Sequence, residues 1–162
     1  MRLARVRGGF AAALLVGGLF AASSAMADGD YFPPVKDPLV IKECAACHMA
    51  FPAGMLPARS WTVMMAGLSD HFGENAALDA ETARKIEDYL VANAAGAGRD
   101  RGKPLRGLKP NDTPQRISEL PWFIREHGKD IAQKSRQNPK VKTVANCVAC
   151  HENAAKGYFE DD

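Results

Sequence analysis

The apolar residues of this chain recur with a helical period. In S-W-T-V-M-M-A-G-L-S-D-H-F-G, residues 60–73, Trp61, Met64, Met65, Leu68 and Phe72 follow the i, i+3, i+4 rule and predict a helix with one apolar stripe. His71 lies on that stripe, so it should point inward. In I-S-E-L-P-W-F-I-R-E-H-G, residues 117–128, Leu120, Phe123, Ile124 and His127 stand at i, i+3, i+4 and i+7. Pro121 suits the first turn of that helix and Gly128 the residue just past its end. Between the two, Asp79 reads as an N-cap with Glu81 and Thr82 in the first turn. Ala83, Ile86, Leu90 and Ala94 then make a stripe running to about Ala95 and stopping at Gly96. Shorter helices are expected over Leu39–His48, over the polar run Lys129–Gln137, and over the closing phrase V-K-T-V-A-N-C-V-A-C-H. Alternating strand patterns are scarce. The expected fold class is all-α.

The gaps between these stripes are rich in turn formers. Residues 28–38 make an extended lead with Pro33, Pro34 and Pro38, and Phe51–Pro57 is a Pro/Gly loop. Gly96–Pro114 holds four Gly and three Pro among many charges, and reads as a connector long enough to wrap the edge of something large. The division expected is 28–95 as an N-terminal unit, 96–114 as connector and 115–162 as a C-terminal unit.

The beginning of the chain follows a different logic. M-R-L-A-R-V-R is basic, Gly8–Ala22 is apolar, and Ala25-Met26-Ala27 is an A-x-A cleavage site. This is the build of a secretory signal peptide over residues 1–27, cut after Ala27. The run is Gly- and Ala-rich and short for a span; its retention as an anchor is the alternative. The expected location is the periplasm. Cleavage changes the charge. The full chain of 162 residues has 21 basic and 19 acidic side chains, but the leader takes three basic ones with it, leaving a net charge near −1. Nothing in that balance points to nucleic acid. The charge is uneven, at net −5 over 28–98 and net +4 over 99–162. It reads either as ordinary surface and cofactor neutralisation or as two ends that attract different partners.

All four cysteines fall in two phrases, C-A-A-C-H (Cys44, Cys47, His48) and C-V-A-C-H (Cys147, Cys150, His151). C-x-x-C-H is the attachment site of c-type haem. Two thiols add to the two vinyl groups on one porphyrin edge, and the spacing lets both sulfurs reach it. The adjoining histidine then falls beneath the iron as its proximal ligand. A zinc ribbon would set its C-x-x-C pairs about 15–20 residues apart, and a thioredoxin-like motif needs a βαβ pattern absent here. Disulfides would leave the histidines unexplained. The chain therefore calls for two covalently bound haem c groups.

The chain has only four histidines, so His71 and His127 remain for the distal positions. His71 follows His48 by 23 residues and His127 precedes His151 by 24, which gives each haem a nearby histidine. Among the methionines near the first motif, Met49 is too close to His48 to reach the opposite face, Met64 and Met65 read as packing, and Met55 is the rival ligand. No methionine follows Met65. The simplest pairing is His48 with His71 and His151 with His127; crossed pairing stays open.

The phrases C-A-A-C-H-M-A-F, L-P-A-R-S-W, M-A-G-L-S-D-H-F-G-E-N-A and I-E-D-Y-L resemble the small dihaem cytochromes c of bacterial exported redox chains. P-W-F-I-R-E-H and V-A-N-C-V-A-C-H-E-N-A-A-K-G resemble the same family near the end of the chain. The resemblance implies an N-terminal unit similar to a monohaem class I cytochrome c, followed by a smaller helical C-terminal haem unit. It implies two bis-histidine haems with His48, His71, His127 and His151 as ligands. It also implies a membrane cytochrome b or other donor, an exported monohaem cytochrome or reductase as acceptor, and a monomer working through transient complexes.

An iron with two protein nitrogen ligands has no open position, so the expected function is electron transport without catalysis. Two other readings use the same motifs: an electron-transfer subunit held by a larger exported reductase of the nitrate-reductase kind, and a dihaem peroxidase. The latter needs an iron that can open.

Overall fold

In a computed structural model the described residues are 30–97 and 102–160; the expected signal peptide lies outside them. The architecture is helical. In chain order it has a two-residue strand β1 (Asp30–Tyr31) and helices α1 (Pro38–Cys44), α2 (Ala58–Ala66) and α3 (Ala80–Ala92). Helices α4 (Pro121–His127) and α5 (Ile131–Gln137) and a second strand β2 (Tyr158–Phe159) follow. Short 3-10 turns fill the intervals. No helix among the described residues is long and apolar enough to cross a membrane.

Local chemistry sets most of the helix ends. Asp37 caps α1 by accepting from the backbone N–H groups of Leu39 (2.8 Å) and Val40 (3.1 Å), and Pro38 opens its first turn. Asp79 does the same for α3 through Glu81 and Thr82. Pro121 opens α4 and Gly128, at φ +81°, ends it. The Asp79 cap and the limits of α4 match the sequence reading, whereas α3 stops at Ala92, capped by Asn93, and the Asp37 cap was not expected.

Three helices depart from expectation. The one expected over 39–48 ends at Cys44, so the rest of the first C-x-x-C-H phrase is a turn. The stripe expected through Phe72 breaks at Gly67, which caps α2; Leu68–Asp70 then tighten into a 3-10 turn. The closing phrase 141–151 is no α-helix. Lys142 sits at φ +66°, the Thr143 Oγ1 accepts from Ala145 N–H, and the Asn146 side chain donates to the Val141 carbonyl. Such side-chain bonds compete with helix formation, and only a 3-10 turn over Cys147–Ala149 remains.

Helices α2 and α3 pack together, and α1 leans on α3. Trp61, Ile86, Leu90, Val40 and Leu56 are buried at their contact. Complete burial of Ile86 alone is worth roughly 1.5–3 kcal/mol. The Trp61 indole N–H donates to the Ala53 carbonyl (2.8 Å), which fixes α2 to the Pro/Gly loop. The same core continues to Leu120, Trp122 and Phe123 of the C-terminal half.

The lead joins the two ends of the chain. β1 pairs antiparallel with β2, Asp30 opposite Phe159 and Tyr31 opposite Tyr158. Phe32 meets Trp122 (5.5 Å) and Phe159 (5.8 Å) edge-on. Phe32 N–H donates to the Gly157 carbonyl at 2.8 Å. Only glycine fits there: φ is +91°, and a Cβ would lie 2.2 Å from the Phe32 oxygen. The described part of the connector is also tied down. The Arg59 guanidinium donates to the Asp112 and Lys109 carbonyls, and Lys103 pairs with Asp30 at 2.6 Å.

Candidate functional site: two facing imidazole pairs

The four histidines form two facing pairs. The ring centres of His48 and His71 are 6.2 Å apart, and those of His127 and His151 are 5.9 Å apart. An imidazole binds a metal through a bond of about 2 Å, so two rings sharing one ion have centres about 6 Å apart. Each pair has that span.

His48 sits in the turn after α1. Its partner is delivered by a tight turn, where His71 N–H donates to the Glu74 carbonyl (2.7 Å) and Glu74 N–H donates back (3.2 Å). Phe72 and Gly73 between them both have positive φ, +58° and +99°, the geometry of a two-residue hairpin turn. The Asp70 carboxylate steadies it by accepting from Gly73 N–H (3.0 Å). His71 therefore meets His48 from a turn and not from a helical stripe, and it is only partly buried. His127 does come from a helix, the last turn of α4, and His151 from the turn after Cys150.

Hydrogen bonds select the nitrogen each ring offers. Nδ1 of His48 lies 2.7 Å from the Met49 carbonyl, that of His127 3.1 Å from the Phe123 carbonyl, and that of His151 2.8 Å from the Glu160 carbonyl. A carbonyl only accepts, so each Nδ1 carries the proton and each Nε2 keeps a free lone pair, the form a metal binds. For His71, burial first and then the nearby His48 and Arg116 charges hold its pKa below the usual histidine value, which favours the same neutral form.

In each phrase one cysteine is partly buried, Cys44 and Cys147, and one is exposed, Cys47 and Cys150. Val40 and Cys44, four apart, share the inner face of α1, and burial pushes the Cys44 thiol pKa up. Burial raises Cys147 to about 11. Among the described residues, no three His, Cys, Asp or Glu side chains converge on one point. The four thiols therefore do not assemble the tetrahedral cage of a structural zinc.

Beside the C-terminal pair is a cavity of about 550 Å³, within the usual range for cofactor sites. Trp122, Phe123, Val141, Val144 and Phe159 give it apolar walls, and both Cys147 and Cys150 reach it. A flat apolar macrocycle fits this lining and this donor set. Lys103 of the connector also lines it, in keeping with a segment wrapping the edge of the cofactor. Met55, the rival ligand weighed for the first haem, is buried and lines this cavity. The sequence reading missed β2 as a wall of the site, because strands of two residues have no readable period.

Comparisons with known proteins identify the family. Residues 40–159 match the family described as dihaem cytochrome c. The chain is similar to the diheme cytochrome c from Rhodobacter sphaeroides at 52% identity and TM-score 0.71, covering 78% of this chain and 99% of that one. A crystal structure of DHC purified from the same organism is 48% identical at TM-score 0.61, with the same coverage. The diheme cytochrome type c from Shewanella baltica OS155 is 38% identical at TM-score 0.61, covering 76% of this chain and 86% of that one. No curated protein matches. The matched span takes in both cysteine phrases and all four histidines, and on that footing the chain belongs to the dihaem cytochrome c family and carries two covalently bound haem c groups.

Proposed function

We propose that the chain is an exported single-electron shuttle whose two irons are each closed by two imidazoles, His48 with His71 and His151 with His127. Cys44 and Cys47 hold one haem by thioether bonds, and Cys147 and Cys150 hold the other. The observation that carries this reading is the facing of the imidazoles at 6.2 and 5.9 Å, with three of the four Nδ1 atoms anchored to carbonyls. Each haem supplies a one-electron iron couple. The protein's part is to hold both axial positions, so that oxidation state changes with little movement and neither oxygen nor peroxide finds an open site. The carbonyl bonds at Nδ1 raise ligand basicity and help to set the potentials. Imidazole pairs favour lower potentials than a thioether would.

Membership in a family of electron carriers supports the reading. Export is supported by the basic, apolar and A-x-A segments of residues 1–27. The opposed charge of the two halves supports docking of a donor at one end and an acceptor at the other. A membrane cytochrome b fits the donor role, and an exported monohaem cytochrome or reductase the acceptor role, through small transient interfaces. Near-infrared magnetic circular dichroism of the oxidised protein tests the ligation, because its charge-transfer bands identify the axial pair. Bis-imidazole bands from both irons are expected; a thioether band or high-spin iron would overturn the assignment. Reduction and oxidation rates should respond to ionic strength, and indifference in both would remove the docking part.

A further inference from the structure

The two imidazole pairs have nearly the same span but different orientation. The planes of His48 and His71 lie 25° apart, whereas those of His127 and His151 lie 86° apart. We propose that Phe123 is a positioning residue that locks the His127 ring across the plane of His151, so that the C-terminal iron sits between crossed imidazoles and the N-terminal iron between near-parallel ones. The proposal rests on the bis-imidazole reading above.

The crossing is built in by packing. The Phe123 ring lies flat on the His127 ring, with centroids 3.9 Å apart and planes 11° apart, and so covers one whole face of the imidazole. The carbonyl of the same residue takes the Nδ1 proton at 3.1 Å. Rotating His127 about its ring bond would break both contacts at once. Phe123 cannot turn with it, because it is buried in the core with Trp122 edge-on at 6.5 Å. His151 is fixed from another direction: the Glu160 carbonyl holds its Nδ1, and Phe159 meets the ring at 64°. Its orientation is thus set by β2 and that of His127 by α4. Among the described residues the N-terminal pair has no stacked partner as buried as Phe123. His48 is exposed and lies on the half-buried Phe51 at 4.8 Å, and Phe72 beside His71 is 45% exposed.

The orientation has an electronic consequence. Each axial imidazole would donate π density, from p orbitals that stand perpendicular to its ring, into the iron d orbital lying across its own plane. Parallel rings act on one orbital, split the pair and stabilise the ferric ion. Crossed rings act on both, leave the pair nearly degenerate and withhold that stabilisation. The C-terminal iron is therefore easier to reduce than the same site would be with parallel rings, which makes the two haems inequivalent despite identical ligand types.

Low-temperature EPR of the oxidised holoprotein tests this. We expect two low-spin signals of equal spin count: one rhombic with resolved g values, and one strongly anisotropic signal dominated by a low-field feature. In Phe123→Leu the anisotropic signal should collapse toward the rhombic class and the midpoint of that haem should fall. The rhombic signal should be unchanged, and magnetic circular dichroism should still report two imidazole pairs. Phe123→Tyr, which keeps the stacked ring, should retain the anisotropic signal. Two rhombic signals in the wild type would overturn the proposal even if Phe123→Leu failed to fold. So would an anisotropic signal that survives in Phe123→Leu with its ligation intact. Thioether or high-spin iron in the wild type would instead bring down the ligation reading on which the proposal stands.

Discussion

The two imidazole pairs are positioned by different parts of the protein's physics. The His48–His71 pair is held by local chain turns: one bond to the neighbouring carbonyl, and a hairpin closed between His71 and Glu74. The core beneath it, formed by α2 and α3, belongs to the cluster of buried residues that also reaches Leu120, Trp122 and Phe123. The His127–His151 pair instead borders a cavity of about 550 Å³, and its wall is assembled from α4, α5, β2 and the connector. A haem at the second pair should therefore also complete a core. Helices of only seven residues, such as α4 and α5, and α1 in the other half, are too short to be stable alone and depend on tertiary packing.

The comparison is broken most directly by removing one haem at a time. Cys147→Ser with Cys150→Ser should abolish one covalent haem by mass spectrometry. It should also cost at least about 3 kcal/mol, the scale of a large core cavity, by denaturant unfolding. The matching pair Cys44→Ser with Cys47→Ser should lose one haem with a smaller stability loss. Equal losses would show that the two halves depend on haem alike. Next come the distal ligands. His71→Ala should turn one of two irons high-spin with little change in melting temperature, whereas His127→Ala should do the same and lower the melting temperature, since it also removes the stack on Phe123.

Gly157→Ala should cost about 2 kcal/mol or more, because it forces a side chain into positive φ and against the Phe32 carbonyl. It should disturb the C-terminal haem spectrum alone, since β2 carries Phe159 and leads to Glu160. The smallest effect belongs to α3. Asp79→Ala should lower the melting temperature slightly at neutral pH and leave both haem spectra untouched. Backbone N–H bonds, that of Thr82 foremost, hold the Asp79 carboxyl below its ordinary value of 3.8. Its contribution is therefore present above that value and fades as pH falls through the lower folded one, so the two proteins should converge in acid.

Features carried by one residue and its near neighbours were readable in advance. Asp79 as a cap, Pro121 and Gly128 as brackets of α4, and both C-x-x-C-H phrases are of this kind. The His71 stripe misled because helical spacing continues past Gly67 while the chain does not. Glycine caps α2 there, and the Asp70 side chain favours a turn over another helical bond. The last phrase misled for a similar reason, since Thr143 and Asn146 bond to nearby backbone. Met55 follows His48 by seven residues, yet folding brings it to the cavity beside His127 and His151, a neighbourhood that chain distance does not reveal.

By itself the sequence determined the cofactors and a helical scaffold, because covalent chemistry and capping act over a few residues. Tertiary structure alone decided which imidazoles face each other, that the lead closes onto the last strand, and that one pair of rings is crossed and the other nearly parallel. Ring orientation depends on what packs against each face, and those neighbours come from segments the chain order keeps far apart.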